Sequence, residues 1–322
     1  LSNAAAAAGR RAVVLGYHDV GVRGLQVLLA QGVDVALVVT HRDAPGETIW
    51  FGSVARVARE AGLPLLFAED LDDTQLVAAV GAAAPDFVFS LYFRRMLPAA
   101  LLALAPRGAL NLHGSLLPRF RGRVPVNWAV IEGATETGAS LHHMVTKPDA
   151  GDLVDQQAVP ILPDDTAMDV FRKVTVAAEL VLMRTVPKLL DGTAPRTPLD
   201  LRDGEYRGGR RPEDGRLDFA QPARRVHDLV RGVAPPYPGA FTVLAGRPAR
   251  VLRTSHRAVP SSAAPGTWQA LRDRLHVTCG DGLALPVLEL EVDGRAVDDA
   301  TTLSPLLAAH TAAVTTTATP PA

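Results

Sequence analysis

Two rhythms of hydrophobic and polar positions alternate along the first 200 residues. Short apolar runs at 12–15, 33–39, 65–67, 87–90 and 109–113 read as strands buried on both faces. Between them, 25–30, 53–61 and 76–84 carry helical spacing, with Ser53 placed to cap the second helix, Gly62 to close it and Pro64 beyond. This β-α-β-α alternation predicts an α/β domain: a Rossmann-like, doubly wound parallel sheet with helices on both faces. Such sheets take their ligands beyond the carboxyl ends of the strands. Further strands are expected at 137–145 and 153–161. A long amphipathic helix follows over 166–190, with Thr166 as N-cap and Asp191-Gly192 at its end.

The texture changes near residue 191. Residues 203–218, rich in Gly, Arg and acidic side chains, have the composition of a surface loop. Residues 219–233 read as one helix, stopped by Pro235-Pro236-Tyr237-Pro238-Gly239. Short strands at 240–244, 250–254, 275–279 and 283–290 then predict a small OB-like β-barrel. The expected division is a catalytic domain over 11–200, a barrel domain over 201–305, and a disordered Thr/Ala/Pro tail over 306–322.

Composition narrows the function classes. A chain of 322 residues, 48% hydrophobic and 21% charged, has material for two cores. Its net charge of −1 offers no global field for nucleic acid or an anionic membrane. Cys279 is the single cysteine, which excludes an internal disulfide and a multi-cysteine metal site; no metal is expected. No run of apolar residues is long enough to span a bilayer. The Ala-rich start precedes its arginines, the reverse of a secretory signal, so a cytoplasmic enzyme is expected.

The densest polar chemistry lies between residues 111 and 152. Asn111 and His113, two apart at a strand end, point to one face. Gly114 and Pro118 turn the chain away, and Asp149-Ala150-Gly151-Asp152 follows at a later strand-to-strand turn. An amide can donate to a developing oxyanion, an imidazole can move protons near neutral pH, and a carboxylate can hold the imidazole and raise its pKa. The single histidines His18, His41, His142 and His143 read as hydrogen-bonded surface residues, with alternation turning only one of His142 and His143 to the cleft. Trp50 and Trp128 read as packing, and Cys279 as inert. Arg210 and Arg211 suit either a solvated loop or bidentate contact with a diphosphate. Gly16, Gly21 and Gly24 have the wrong spacing for dinucleotide binding.

The string Asn111-Leu-His113-Gly-Ser-Leu-Leu-Pro118, with Arg121-Gly122 and Asp149-Ala-Gly151, resembles the signature of formyltransferases that use 10-formyltetrahydrofolate. Gly16-Tyr17-His18-Asp19, Phe51-Gly52-Ser53, Asn127-Trp128, Glu136-Thr137-Gly138, Gly209 to Asp214 and Pro236 to Phe241 are similar to the sugar-nucleotide branch of that family. The resemblance runs over about residues 11–305. It is strongest to the polymyxin-resistance branch, which formylates UDP-4-amino-4-deoxy-L-arabinose in lipid A modification. It implies a Rossmann-like domain followed by an OB-like one, and folate as formyl-donor co-substrate. By the same resemblance His113 handles the proton, Asn111 stabilises the tetrahedral intermediate and Asp149 partners His113. Arg95, Met96, Leu97, Arg123 and the segment Val145, Thr146, Lys147, Pro148, Asp149 are placed at the folate. Arg95 and Met96 depart from the bulky pair expected there, which backbone contacts would tolerate. No second, decarboxylating domain is expected, so the chain would carry the formyl step alone.

The competing enzymatic reading is a methionyl-tRNA formyltransferase, which shares the signature. Residues 201–256 hold 11 arginines against 6 acids, a local +5 that would suit tRNA phosphates. Against it, residues 41–51 form a short segment carrying Asp43 and Glu47, where a longer basic loop would be expected. The non-enzymatic reading, a folate or nucleotide-sugar binding module, conflicts with the complete Asn111, His113, Asp149 set. The expected partners are therefore folate and a UDP-amino-sugar, with nucleic acid and membrane insertion not expected.

Overall fold

The structure is a computed structural model and describes residues 9–271, 274–297 and Ala308. The Ala-rich start up to residue 8 and, apart from Ala308, the tail over 306–322 lie outside the described residues. The chain divides into two compact units: Leu1–Pro125, Glu136–Pro160 and Phe171–Gly208 in one, and Val126–Thr135, Ile161–Val170 and Gly209–Ala322 in the other.

In the first unit β1 (Arg11–Gly16), α1 (His18–Ala30), β2 (Asp34–Thr40), α2 (Val54–Glu60), β3 (Leu65–Phe67), α3 (Asp73–Ala82), β4 (Phe87–Leu91), α4 (Ala99–Leu102) and β5 (Gly108–His113) follow in turn. The chain passes through α5 (Pro125–Ile131) to β6 (Glu136–His143) and β7 (Leu153–Pro160), then to the long α6 (Ala167–Asp191). The sheet order is β3-β2-β1-β4-β5-β6-β7, reversing between β1 and β4. The first five strands are parallel, as the βαβ pattern demands. The last two run antiparallel, because only a reverse loop joins β6 to β7. The sheet is thus mixed, where the alternation alone indicated a parallel one.

Local signals act where expected. The Ser53 hydroxyl accepts from the Arg56 N–H (3.2 Å), and Thr166 Oγ1 from the Asp169 N–H (3.2 Å). Valines and leucines of β1, β2 and β4 pack under α3 and α4 in one buried cluster with Leu76, Val80 and Leu101. The glycine spacing that excluded a dinucleotide fingerprint has a packing cause. A Cβ at Gly24 would lie 2.6 Å from Leu91 Cδ1, so α1 approaches β4 closely and a larger residue would require the Leu91 side chain to shift.

The second unit packs α7 (Ala223–Gly232) against an antiparallel sheet of β8 (Ala240–Leu244), β9 (Arg247–Thr254), β10 (Trp268–Leu271), β11 (Arg274–Thr278) and β12 (Leu283–Val292). Val226, Val230, Val251, Trp268, Val277 and Leu285 form its core. The helix begins four residues later than its hydrophobic pattern, directly after Pro222. Cys279 is buried here, and burial pushes its thiol up to about 12, in keeping with an inert role. Among the described residues no helix is long and apolar enough to cross a membrane.

Candidate active site

Strand β5 carries its chemistry at its carboxyl end, where Asn111 is half-buried and His113 fully buried. After His113 the chain folds back tightly. The Ser140 hydroxyl donates to the Ser115 carbonyl (2.6 Å) and accepts the Leu117 N–H (3.0 Å), while the Gln156 amide donates to the Leu117 carbonyl (2.7 Å). This turn brings the Phe120 carbonyl to 2.9 Å from His113 Nε2. A carbonyl can only accept, so Nε2 carries the proton and Nδ1 faces Asp149 Oδ1 at 3.6 Å.

Asp149 arrives from the loop between β6 and β7 with a φ of 49°, a left-handed conformation that aspartate tolerates better than most residues. Its Oδ2 accepts the Gly122 N–H (2.8 Å). Gly122 has a φ of 102°, and a Cβ there would meet the Arg207 carbonyl at 2.2 Å. Glycine is therefore required for Arg121–Gly122 to pair with Tyr206–Arg207 and present this donor.

The antiparallel register places His142 opposite Asn111. His142 Nδ1 donates to the His143 carbonyl (2.9 Å), which leaves Nε2 as an acceptor for the Asn111 amide (3.1 Å). The second amide hydrogen reaches Asp149 Oδ1 (3.4 Å), which also lies 3.5 Å from His142 Nε2. Asn111, His113, Asp149 and His142 thus form one cluster. His142 is the member that sequence reasoning left among surface histidines; alternation along β6 was the signal that could have found it. His18, His142 and His143 are all buried, contrary to the surface reading.

Burial sets the protonation states. It pulls His113 below its ordinary value, outweighing the Asp149 carboxylate, which acts in the opposite direction. The carboxylate thus acts on His113 in the expected direction, and burial, which local sequence does not show, outweighs it. Burial alone would raise Asp149, but His113, His142 and the Gly122 N–H together hold it below the usual carboxylate range. At neutral pH the cluster holds a neutral imidazole facing an ionised carboxylate, two acceptors 3.6 Å apart that a single donor can bridge. One such donor is an attacking amine.

The residues assigned to folate by resemblance fall on several surfaces of the first unit. The Arg95 side chain is committed elsewhere, donating to the Leu71 carbonyl (2.7 Å) and pairing with Asp73. Leu97 packs into the core beside α4. Met96 and Val145, in the loops after the two strands flanking β5, are 62% and 47% exposed and offer apolar surface. Thr146 and Lys147 are exposed and Pro148 is half-buried. Arg123 is exposed, with its N–H given to the Arg207 carbonyl (2.9 Å). In the second unit the Arg210 guanidinium lies 4.8 Å from the centre of the Trp128 ring and donates to the Asp214 carbonyl, while Arg211 is exposed.

A second feature lies at the β1–β4 reversal. His18 opens α1 with a φ of 67° and stacks on Phe51 (3.9 Å between ring centres), enclosed by Trp50 and Phe171. Burial, with the Arg94 charge adding to it, pushes its imidazole down to about 3. Because the folded value lies below the unfolded one, the unfolded chain binds the extra proton. Stability is then fully present above about pH 6.5 and is lost as pH falls towards the folded value. Between pH 7 and pH 4 this one group accounts for about 3 kcal/mol of lost stability. His143 and His227 act in the same direction. Urea unfolding at the two pH values should show the fall, and His18→Asn should remove most of that share. An equal fall in the variant would rule His18 out as its source.

An amide, an imidazole and an ionised carboxylate gathered at the end of the fifth strand of a doubly wound domain are suited to group transfer at a carbonyl carbon. The formyl transferase family profile matches residues 22–186, and the profile of the formyl transferase C-terminal domain matches residues 210–303. The chain belongs to the formyl transferase family and is a formyltransferase. Solved structures share the fold. An N-formyltransferase from Helicobacter canadensis, in complex with folinic acid and dTDP-3-aminofucose, is 16% identical with a TM-score of 0.67, over 86% of this chain and 98% of that one. HypX from Aquifex aeolicus, in complex with tetrahydrofolic acid, is 18% identical with a TM-score of 0.62, over 92% and 47%. A 4-N formyltransferase from Francisella tularensis is 20% identical with a TM-score of 0.58, over 72% and 92%.

Proposed function

We propose that this enzyme transfers the formyl group of 10-formyltetrahydrofolate to the amino group of a nucleotide-linked amino sugar, with UDP-4-amino-4-deoxy-L-arabinose as acceptor and lipid A modification as its setting. The observation that carries the reading is the convergence of Asn111, His113 and Asp149 at the end of β5 in a chain of this family. The bound donor supplies a one-carbon unit at the formyl oxidation level on a good leaving nitrogen. The donor set fits it. Asn111 exchanges its long hydrogen bond to Asp149 for one to the formyl oxygen as charge grows there. As the amine nitrogen bonds to the formyl carbon, His113 Nδ1 takes its proton and Asp149 stabilises the imidazolium that results; the imidazolium then gives the proton to the departing donor nitrogen as its bond to the formyl carbon breaks. Met96 and Val145 provide apolar surface for a flat ring system. The family likenesses that include bound folates and a dTDP-amino sugar support the substrate class.

The tRNA reading loses its main support. Of the arginines in 201–256, Arg202, Arg207, Arg224, Arg231, Arg247, Arg250 and Arg253 are paired with carboxylates, including Asp200, Glu289, Glu291 and Asp293 from outside that window. Turnover with 10-formyltetrahydrofolate and, in parallel, UDP-amino-sugar, dTDP-amino-sugar and methionyl-tRNA tests the assignment. Formylation of the tRNA alone would overturn it.

Arg210 and Arg211 are proposed to contact the acceptor's diphosphate. Replacing both with Ala should raise KM for the nucleotide sugar about tenfold or more and leave KM for the formyl donor unchanged. Unchanged kinetics for both substrates would return these arginines to a surface role.

A further inference from the structure

We propose that Gly204, outside both segments that carry the catalytic groups, is a positioning residue for formyl transfer: it lets the stretch 204–207 lie against the turn 118–122, whose backbone orients His113 and Asp149. This rests on the roles given above to those two residues. Turn, stretch and cluster all belong to the first unit. The stretch falls within 203–218, whose composition reads as a surface loop.

The turn grips the cluster through two backbone groups. The Phe120 carbonyl accepts from His113 Nε2 (2.9 Å), which keeps Nδ1 unprotonated on the side of Asp149. Two residues on, the Gly122 N–H donates to Asp149 Oδ2 (2.8 Å). A change in the path of residues 120–122 therefore turns the imidazole and shifts the carboxylate together. That path does not hold itself. Phe120 has a φ of 54°, which a bulky residue adopts only where surrounding contacts impose it.

The stretch 204–207 supplies such contacts. At Gly204 the two segments touch: a Cβ there would lie 1.9 Å from the Pro118 carbonyl oxygen and 2.9 Å from the Arg119 nitrogen. Both are backbone atoms, so no rotamer change relieves the clash, and a side chain at 204 must drive the stretch from the turn. The φ of Gly204, −158°, is extended and open to any residue, so close approach is what requires glycine. Arg121 reinforces the contact. Its side chain is buried, has no acidic partner among the described residues, and donates to the Gly204 carbonyl (3.0 Å). Losing that acceptor would leave a buried guanidinium still less satisfied, so the bond ties the stretch down. Beyond it, Tyr206–Arg207 pairs in parallel with Arg121–Gly122, and the Arg207 carbonyl accepts the Arg123 N–H (2.9 Å).

The test is steady-state kinetics of the full chain with 10-formyltetrahydrofolate and whichever of the UDP- and dTDP-amino-sugars the wild type turns over. The variants are Gly204→Ala, Arg121→Met, Arg202→Ala, His113→Asn, and Gly204→Ala combined with His113→Asn. Gly204→Ala should lower kcat about 10²-fold, the effect of a small misplacement of reacting groups, with KM for both substrates within about threefold of wild type. Arg121→Met removes the bond to Gly204 without a clash. It should show the same split with a loss of about tenfold, and it decides the matter where Gly204→Ala does not fold. Arg202, exposed and paired with Asp200 just before the stretch, is the control and should change nothing. His113→Asn should be strongly impaired. Adding Gly204→Ala to it should lower kcat by less than about threefold more, because the group being positioned is gone, whereas a general loosening would multiply in full. Full multiplication, or a wild-type kcat in Arg121→Met and in folded Gly204→Ala, overturns the inference and leaves the function standing. A wild-type kcat in His113→Asn, or a wild type that turns over neither sugar, overturns the reading beneath it and the inference together.

Discussion

Asn111→Ala is expected to lower kcat by about 10²–10³-fold while KM for either substrate stays within about threefold of wild type. The asymmetry follows from where the amide is aimed. In the resting site its two hydrogens go to His142 Nε2 at 3.1 Å and to Asp149 Oδ1 at 3.4 Å. The longer bond is the one that yields when negative charge grows on a substrate oxygen, so the interaction strengthens in the transition state and contributes little to ground-state binding. Asn111→Asp provides a second check. It keeps the shape but adds a carboxylate beside Asp149, and should be at least as impaired. Steady-state kinetics of both variants with 10-formyltetrahydrofolate and the amino-sugar acceptor decide the matter. A kcat near wild type in Asn111→Ala would remove the amide from the reaction.

Asp149→Asn should produce a loss of about 10²–10⁴-fold in kcat together with a shift in the pH profile. Burial holds the His113 pKa below its ordinary value, and the Asp149 carboxylate is the main influence raising it. His113 acts as a base, so the rate falls as pH drops through its pKa. Removing the carboxylate lowers that pKa further, and the acid limb of kcat/KM must move to lower pH. The neutral amide also ceases to stabilise the imidazolium, which accounts for the fall in rate. Asparagine keeps an oxygen for the Gly122 N–H, which donates at 2.8 Å, so the loop should retain its conformation. A lower kcat with an unmoved acid limb would separate Asp149 from His113 and assign the titration to another group.

Much of this arrangement was legible in local pattern. Ser53 and Thr166 cap the helices they were expected to cap, and the strand runs at 65–67 and 240–244 match the structure residue for residue. Asn111 and His113 share a face because they are two apart on a strand, and Pro235-Pro236 ends α7 within three residues of Gly232. Other features were not legible. The +5 window of arginines looked like a phosphate surface because the acids that neutralise it lie outside it, on neighbouring strands. The short helices Ala99–Leu102 and Pro125–Ile131 carry too few turns to show a period.

The sequence by itself determined the alternation of strands and helices in the first unit and the presence of an amide, an imidazole and a carboxylate suited to the proposed chemistry. Each of these rests on residues close together in the chain: capping pairs, glycine and proline breaks, and alternation along one strand. The two units, by contrast, take up interleaved stretches of chain that no single boundary near residue 200 describes. Tertiary structure alone decided how those groups act. The antiparallel register of β6 puts His142 against Asn111, and a loop 38 residues beyond Asn111 delivers Asp149. Burial then outweighs the upward pull of Asp149 on His113, because desolvation in a closed site exceeds the effect of one carboxylate. Register and burial are sums over contacts between distant segments, so no local window of the chain contains them.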